Sequence, residues 1–188
     1  MKLLSVNVSK PKLKRFRFKF VTTAFLKKPV DGNSLVNKTN IQGDKQADLM
    51  NHGGSDKAVY AFSPDHHEYW KKALNLEHIN FGKFGENLSI SGLDEADIAI
   101  GDKLQINDCI LEVSQPRIPC YKISFEFKDM SMLNKFIAHA HTGVYFRVIQ
   151  TGTISPNSEV EIIYKHPAKI TVKDLFRAHF DSKFPNQE

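Results

Sequence analysis

Cys120 stands in the run Arg117-Ile118-Pro119-Cys120-Tyr121-Lys122, a proline-stiffened loop with two cations within sequence reach of the thiol. Neighbouring positive charge favours the thiolate, the form needed for metal ligation or nucleophilic attack. Cysteine is also among the most often buried and inert side chains, so that reading stays open for Cys120. The other cysteine, Cys109, falls in register with Leu111 and Val113 on one face of a strand, the expected place for a core thiol. The two cysteines form neither a CxxC pair nor a four-ligand zinc set, and reduced thiols in a cytoplasmic protein are the expectation.

Two further clusters carry chemistry-bearing types. In His52-Gly53-Gly54-Ser55-Asp56-Lys57 successive glycines let backbone N–H groups turn toward an anion, and Lys57 supplies a counter-charge. The spacing matches neither a P-loop nor a dinucleotide fingerprint, and a plain glycine turn capped by Asp56 explains it equally well. In Thr142-Gly143-Val144-Tyr145-Phe146-Arg147 a cation stands on an otherwise apolar strand, where it needs a partner. The histidines show no HExxH or comparable zinc spacing: His66 and His67 sit early in a helix, and His139 and His141 flank a helix end, where solvated or capping roles are the default. The absence of a GxSxG elbow disfavours an ordinary serine hydrolase.

The elements that must position these residues are mostly strands. Leu3 to Val8, Leu35 to Ile41, Ala58 to Phe62, Leu88 to Ile90, Val144 to Gln150 and Glu159 to Tyr164 read as extended. Lys103 to Ile106 and Cys109 to Ser114 flank Asn107-Asp108, a two-residue link suited to a tight hairpin. Ser63-Pro64 starts a helix that runs to about Leu74, with Ser63 as its cap. After the prolines at 116 and 119, Ile123, Phe127, Met130, Leu133 and Phe136 suit two short helices, and Val172 to Phe180 reads as a last one. Arg15-Phe16-Arg17-Phe18-Lys19-Phe20 alternates strictly and predicts one half-buried strand. Closely spaced strands with a few inserted helices favour a closed, mostly-β (α+β) barrel over a doubly wound sheet.

The chain has 188 residues and 21.4 kDa, enough for one barrel domain without disulfide staples. No apolar run approaches a membrane span, and the amino terminus reaches Ser9 and lysines before a signal-peptide core could form, which argues against secretion. The formal charge of +5 is very uneven: residues 1–28 hold nine of the 26 basic residues and none of the 21 acids. The remainder is net acidic, which disfavours nucleic-acid binding over a broad face. Arg15, Arg17 and Lys19 then form either a protected strand edge or a wall facing an anionic cofactor or an acidic redox partner.

Taken in order, Gly43-Asp44-Lys45-Gln46-Ala47-Asp48, His52 to Tyr60, Gly82-Lys83-Phe84-Gly85-Glu86-Asn87-Leu88, Ile100-Gly101-Asp102, Ser114 to Lys122 and Gly143 to Val148 resemble the successive motifs of MOSC domains. Those domains are named after the carboxy-terminal domain of molybdenum cofactor sulfurases, and the stand-alone bacterial YiiM-like subgroup is the best match. The resemblance implies a MOSC-type β-barrel over residues 1–165, followed by a tail, 166–188, with one short helix that is not an independent domain. It implies a molybdenum cofactor (Mo-molybdopterin), with Cys120 as molybdenum ligand and catalytic residue. His52, Gly53, Gly54, Asp56, Lys57, Asn87, Arg117 and Arg147 are the implied cofactor-binding residues, and Gln46 a further donor to the pterin edge. YiiM-like proteins generally continue into a helical extension, whereas here one helix is offered, able to pack on the barrel or on a second subunit of a homodimer.

The activity implied is reduction of N-hydroxylated bases, 6-hydroxylaminopurine being the typical substrate, with electrons from a separate flavin-containing reductase. Two other readings stay open. Cys120 could carry the cofactor or a persulfide to another protein, although no pyridoxal-phosphate desulfurase domain is recognisable to generate that sulfur. The barrel could also be a non-catalytic binding module.

Overall fold

The computed structural model describes residues 1–16, 19–46 and 53–181. Its strands are β1 (Lys2–Val8), β2 (Lys12–Phe16), β3 (Lys19–Thr23), β4 (Lys28–Val30), β5 (Ser34–Val36), β6 (Val59–Phe62), β7 (Leu88–Ser91), β8 (Lys103–Ile106), β9 (Cys109–Pro116), β10 (Val144–Gln150), β11 (Gly152–Ile154) and β12 (Glu161–Tyr164). The helices are α1 (His67–Leu74), α2 (Lys122–Glu126), α3 (Met132–His139) and α4 (Val172–Asp181), with 3-10 turns at Ser55–Lys57 and Pro64–His66.

Eight strands form one sheet in the order β12-β8-β9-β10-β6-β7-β1-β4. All neighbours are antiparallel except β6 and β7. That parallel pair needs a crossover, and the 3-10 turn, α1 and the loop through Gly82 to Asn87 supply it. The sheet closes through the chain entering β12: Leu3 N–H donates to Ser158 O (3.0 Å), Asn157 N–H to Leu3 O (2.7 Å) and Val160 N–H to Met1 O (3.0 Å). The expected closed barrel is therefore what forms.

Alternation along the strands decides what each face does. On β6, Val59 and Ala61 join the barrel interior, while Tyr60 and Phe62 join an outer cluster with Trp70, Phe84, Ile123, Met132 and Phe136. On β10, Val144, Phe146 and Val148 point into the barrel, and Tyr145 packs on the outer cluster. The helices thus cover one wall of the barrel, and β6 is buried on both faces. Cys109, Leu111 and Val113 are all in the interior, as their register required. β11 pairs with β5, bringing Ile154 and Val36 to the core.

Two expected strands are corrected. Leu35 to Ile41 is extended only as far as Val36; the chain then turns, and Ile41 bridges back to Val36. Arg15 to Phe20 is not a single half-buried strand: Arg15 pairs with Phe20 and Phe16 with Lys19 across the β2–β3 hairpin. Phe20 is 67% exposed, so its side chain does not face a core. This ribbon is a separate two-stranded sheet. Arg17 and Phe18 lie outside the described residues. Lys14 ties the hairpin to α2 by pairing with Glu126 (2.8 Å).

The tail docks on the barrel: Val172 N–H donates to Ile98 O (3.0 Å), and Val172 and Phe176 are buried. Among the described residues, no helix is long and apolar enough to cross a membrane.

Gly143, at the entry to β10, has φ +86°, and a Cβ there would lie 2.4 Å from Ala61 O and 2.5 Å from the Tyr60 ring. Only glycine permits this approach. Gly143→Ala is expected to cost roughly 2–4 kcal/mol in denaturant unfolding; a loss within error of zero would show that the β6–β10 contact can relax.

Candidate functional site

The prolines at 116 and 119 end β9 and prevent the chain from continuing the ladder, so Arg117 to Cys120 form a loop before α2. Arg117 N–H donates to Gly143 O (3.1 Å), which fastens this loop to the start of β10. The result is a cavity on the outer barrel wall, about 650 Å³ with its open mouth included, between β6, β10 and the loops. Arg117, Cys120, Lys122, Tyr60, Tyr145 and Phe25 line it together with Gln46, Lys57 and Asn87.

Arg117 is the least ordinary residue here. It is 5% exposed, and its guanidinium lies against the rings of Phe25 (5.4 Å), Tyr60 (5.5 Å) and Phe136 (5.2 Å). Cation–π contact offsets part of the cost of burying the charge. Burial raises the pKa of the neighbouring Tyr145 hydroxyl, and the positive charge of Arg117 opposes that rise. Among the described residues no carboxylate pairs with Arg117, and its Nη1 is buried with no hydrogen-bond partner. A buried donor of this kind calls for an acceptor, and an anion in the cavity would supply it.

The rest of the cavity wall is held by a buried ion pair. Lys27 Nζ lies 2.6 Å from both Asp44 oxygens, and Asp44 also accepts from Ser9 N–H (2.7 Å) and Asn87 Nδ2 (2.9 Å). Burial lowers the Lys27 ammonium below its ordinary value, and Asp44 opposes that shift. Asn87 Oδ1 in turn accepts from Tyr60 N–H (3.2 Å), so this side chain serves the scaffold while it lines the cavity. Behind them Glu86 is wholly buried, accepting from Gly82 N–H (2.6 Å), Phe84 N–H (3.0 Å) and Ser89 Oγ (3.1 Å). Burial pushes its carboxyl up to about 7 against the pull of those donors.

Of the residues singled out from the sequence, Cys120, Arg117, Lys57, Asn87 and Gln46 meet at this cavity. His52 lies outside the described residues. Gly53, Gly54, Asp56 and Arg147 are not among the lining residues. Arg147 finds its partners on the outer barrel face: Nε to Asp56 Oδ1 (2.6 Å) and Nη1 to Glu112 Oε1 (2.8 Å). Hydrogen bonding to Arg147 holds the Asp56 carboxyl below the usual carboxylate range. These pairs pin the Ser55–Lys57 turn to β10, and Gln46 Nε2 donates to Lys57 O (3.0 Å), so Arg147 and Asp56 position Lys57 at the cavity edge. Sequence reasoning assigned no role to Lys27, Asp44, Tyr60 or Tyr145. The Gly43-Asp44 turn and the aromatics on two apolar strands were their only local signals.

The MOSC domain family matches residues 48–161, and the chain belongs to that family. Its relatives include YflK of Bacillus subtilis, 35% identical over 95% of this chain and 80% of that protein. YiiM of Escherichia coli is 32% identical over 81% of this chain and 68% of its own length. A protein of Gibberella moniliformis named as a reductase is 31% identical over 84% of this chain but 28% of its own length. The crystal structure of YiiM from Geobacillus stearothermophilus superposes with a TM-score of 0.79 at 28% identity, covering 96% of this chain and 84% of that one.

Two outcomes follow for the folded protein. Burial pushes the Cys109 thiol up to about 12, while Cys120 is partly exposed in the cavity. A thiol reagent should therefore label Cys120 in the native protein and Cys109 only after denaturation, as read by peptide mass mapping; native labelling of Cys109 would contradict the closed barrel.

For Glu86 the native state holds the proton more tightly than the unfolded chain, so raising pH from about 5 to about 8 costs stability, roughly 3 kcal/mol at most. The stability difference between the parent and Glu86→Gln should shift against the parent by that amount over this range in denaturant titrations. A difference independent of pH would mean that Glu86 ionises as an ordinary carboxylate.

Proposed function

We propose that this MOSC-family chain binds a molybdenum cofactor and reduces N-hydroxylated bases and related compounds of the 6-hydroxylaminopurine type, with electrons from a flavin-containing reductase. The observation that carries the reading is the pairing of Cys120 with the buried, incompletely bonded Arg117 guanidinium in one open cavity. The donor set fits the group: a thiolate sulfur suits molybdenum, and a guanidinium with a free N–H suits the phosphate of a pterin. The kinship with YiiM and with a protein named as a reductase supports an enzymatic role.

When bound, the molybdenum–pterin group supplies the two-electron redox chemistry. The chain's own residues do the rest. Cys120 holds the metal through sulfur, and Arg117 neutralises the cofactor's phosphate while filling its vacant Nη1 bond. Phe25, Tyr60 and Tyr145 give flat apolar walls suited to planar heterocycles. Converting RNHOH to RNH2 and water consumes two electrons and two protons, and Lys57 and Lys122 line the cavity in which that substrate would sit.

The test is made on protein from a host competent in molybdenum-cofactor synthesis. Stoichiometric molybdenum and turnover of 6-hydroxylaminopurine with reduced dye are expected in the parent and in Cys109→Ala, and loss of both in Cys120→Ala. Arg117→Gln should retain roughly 30-fold less cofactor, since its buried charge contact is removed. Trace, exchangeable metal in the parent would favour a carrier, and equal activity of Cys120→Ala at matched cofactor loading would overturn the ligand assignment.

A further inference from the structure

Away from the Cys120 cavity, three chain segments bring three imidazoles and a carboxylate together. His66 ends the Pro64–His66 turn, which Ser63 caps and Asp65 anchors to Gly92 N–H (2.7 Å). His139 ends α3, Ala140 reverses the chain with φ 58°, and His141 follows. Glu95 comes from the loop after β7 and is 2% exposed. None of the four lines the Cys120 cavity.

The spacing is that of a ligand set. His141 Nδ1 lies 2.9 Å and His66 Nε2 3.9 Å from Glu95 Oε2, and one ligand atom from each of the three falls within 4.8 Å of the others. A tetrahedral zinc site, with bonds of about 2.0–2.2 Å, sets its donors roughly 3.4 Å apart. Side-chain rotation of about an ångström separates the two arrangements. The His139 ring centroid is 5.1 Å from those of both His66 and His141, and its Nε2 is buried with no hydrogen-bond partner. Glu95 Oε1 is already bonded to Gly143 N–H (2.7 Å), which fixes the carboxylate and leaves Oε2 facing the histidines.

A purely structural explanation covers half of the cluster. Lys173 Nζ lies 3.2 Å from His141 Nε2, so a Lys173–His141–Glu95 chain is internally satisfied, with the His141 proton on Nδ1. It gives no bonding role to His66 or His139, whose imidazoles are packed against a carboxylate and against each other. His139 does stack on Tyr69 (3.9 Å between ring centroids), but stacking leaves the imidazole lone pairs unused, and these with one carboxylate are a common set for a divalent transition metal. With a single oxygen ligand the set is a poor match for magnesium or calcium.

We propose that His66, Glu95 and His141, with His139 as a fourth donor in reach, bind one zinc-like divalent cation. Metal at His141 Nδ1 puts the imidazole's one proton on Nε2, which then no longer accepts from Lys173 and releases that ammonium to solvent. The ion joins the turn after β6, the end of α3 and the loop after β7, and through Glu95 and Gly143 it braces the segment to which Arg117 is fastened.

The test uses the full chain, made without molybdenum cofactor, stripped by chelator and titrated with Zn²⁺ alone by calorimetry and thermal unfolding. One equivalent should bind and raise the melting temperature. His66→Ala, on a partly exposed side chain, should weaken binding roughly ten-fold or more, His66→Ala/His141→Ala should abolish it, and Cys120→Ala should bind like the parent. Far-ultraviolet circular dichroism of each metal-free variant confirms that it is folded. Failure to bind one equivalent, binding unchanged in the double variant, or binding lost in Cys120→Ala would each overturn the site. Because no cofactor is present, none of these outcomes bears on the reductase reading.

Discussion

The Gly143 peptide is where the fold and the proposed chemistry are joined. Its carbonyl accepts from Arg117 N–H, its N–H donates to the buried Glu95, and its lack of a side chain lets the Tyr60 ring and the Ala61 carbonyl close against it. The Tyr60 hydroxyl reaches the neighbouring Thr142 carbonyl at 2.7 Å, which fixes the ring that forms one cavity wall. Arg117 can therefore be held buried without a carboxylate, because its backbone is tied down and aromatic rings surround its charge. A side chain held in this way keeps its donor capacity for something that enters the cavity.

The electrostatics of the cavity divide between a satisfied wall and an unsatisfied one. Lys27, Asp44 and Asn87 use their bonds on one another and on the backbone, and they hold β1, the β3–β4 region and β7 in register. Arg117 and Cys120 have no comparable partners among the described residues. Arg147 belongs with the first kind: an exposed cation paired with Asp56 and Glu112 acts by positioning the turn that carries Lys57. The excess positive charge of residues 1–28 is likewise partly spent on scaffold pairs, Lys14 with Glu126 and Lys27 with Asp44.

Much of the fold was legible because it rests on local signals. Asn107-Asp108 marked the β8–β9 hairpin, and Asn107 does adopt the positive φ such a turn requires. Ser63-Pro64 marked the turn into α1, and the prolines at 116 and 119 marked the loop that bears Cys120. β4 and β11 were missed since three residues carry no period, and each exists by pairing with a distant strand. The Arg15–Phe20 alternation misled because the chain folds back within it, so that Arg15 pairs with Phe20 and the alternating run belongs to two strands. At the site, cysteine and arginine types were visible, but their partners were not. Lys27 meets Asp44 across 17 positions, Asp44 meets Asn87 across 43 and Arg147 meets Asp56 across 91, distances at which only the assembled barrel decides who pairs. The histidines near 66 and 141 read as ordinary for the same reason.

The central claim is that Cys120 supplies a sulfur ligand to molybdenum in the cavity that Arg117 completes. X-ray absorption at the molybdenum edge tests this most directly, comparing cofactor-loaded parent with Cys120→Ser. The account predicts that the parent shows a sulfur scatterer that the variant lacks, replaced by a lighter atom or by loss of bound metal. Identical sulfur shells in two equally loaded proteins would contradict it.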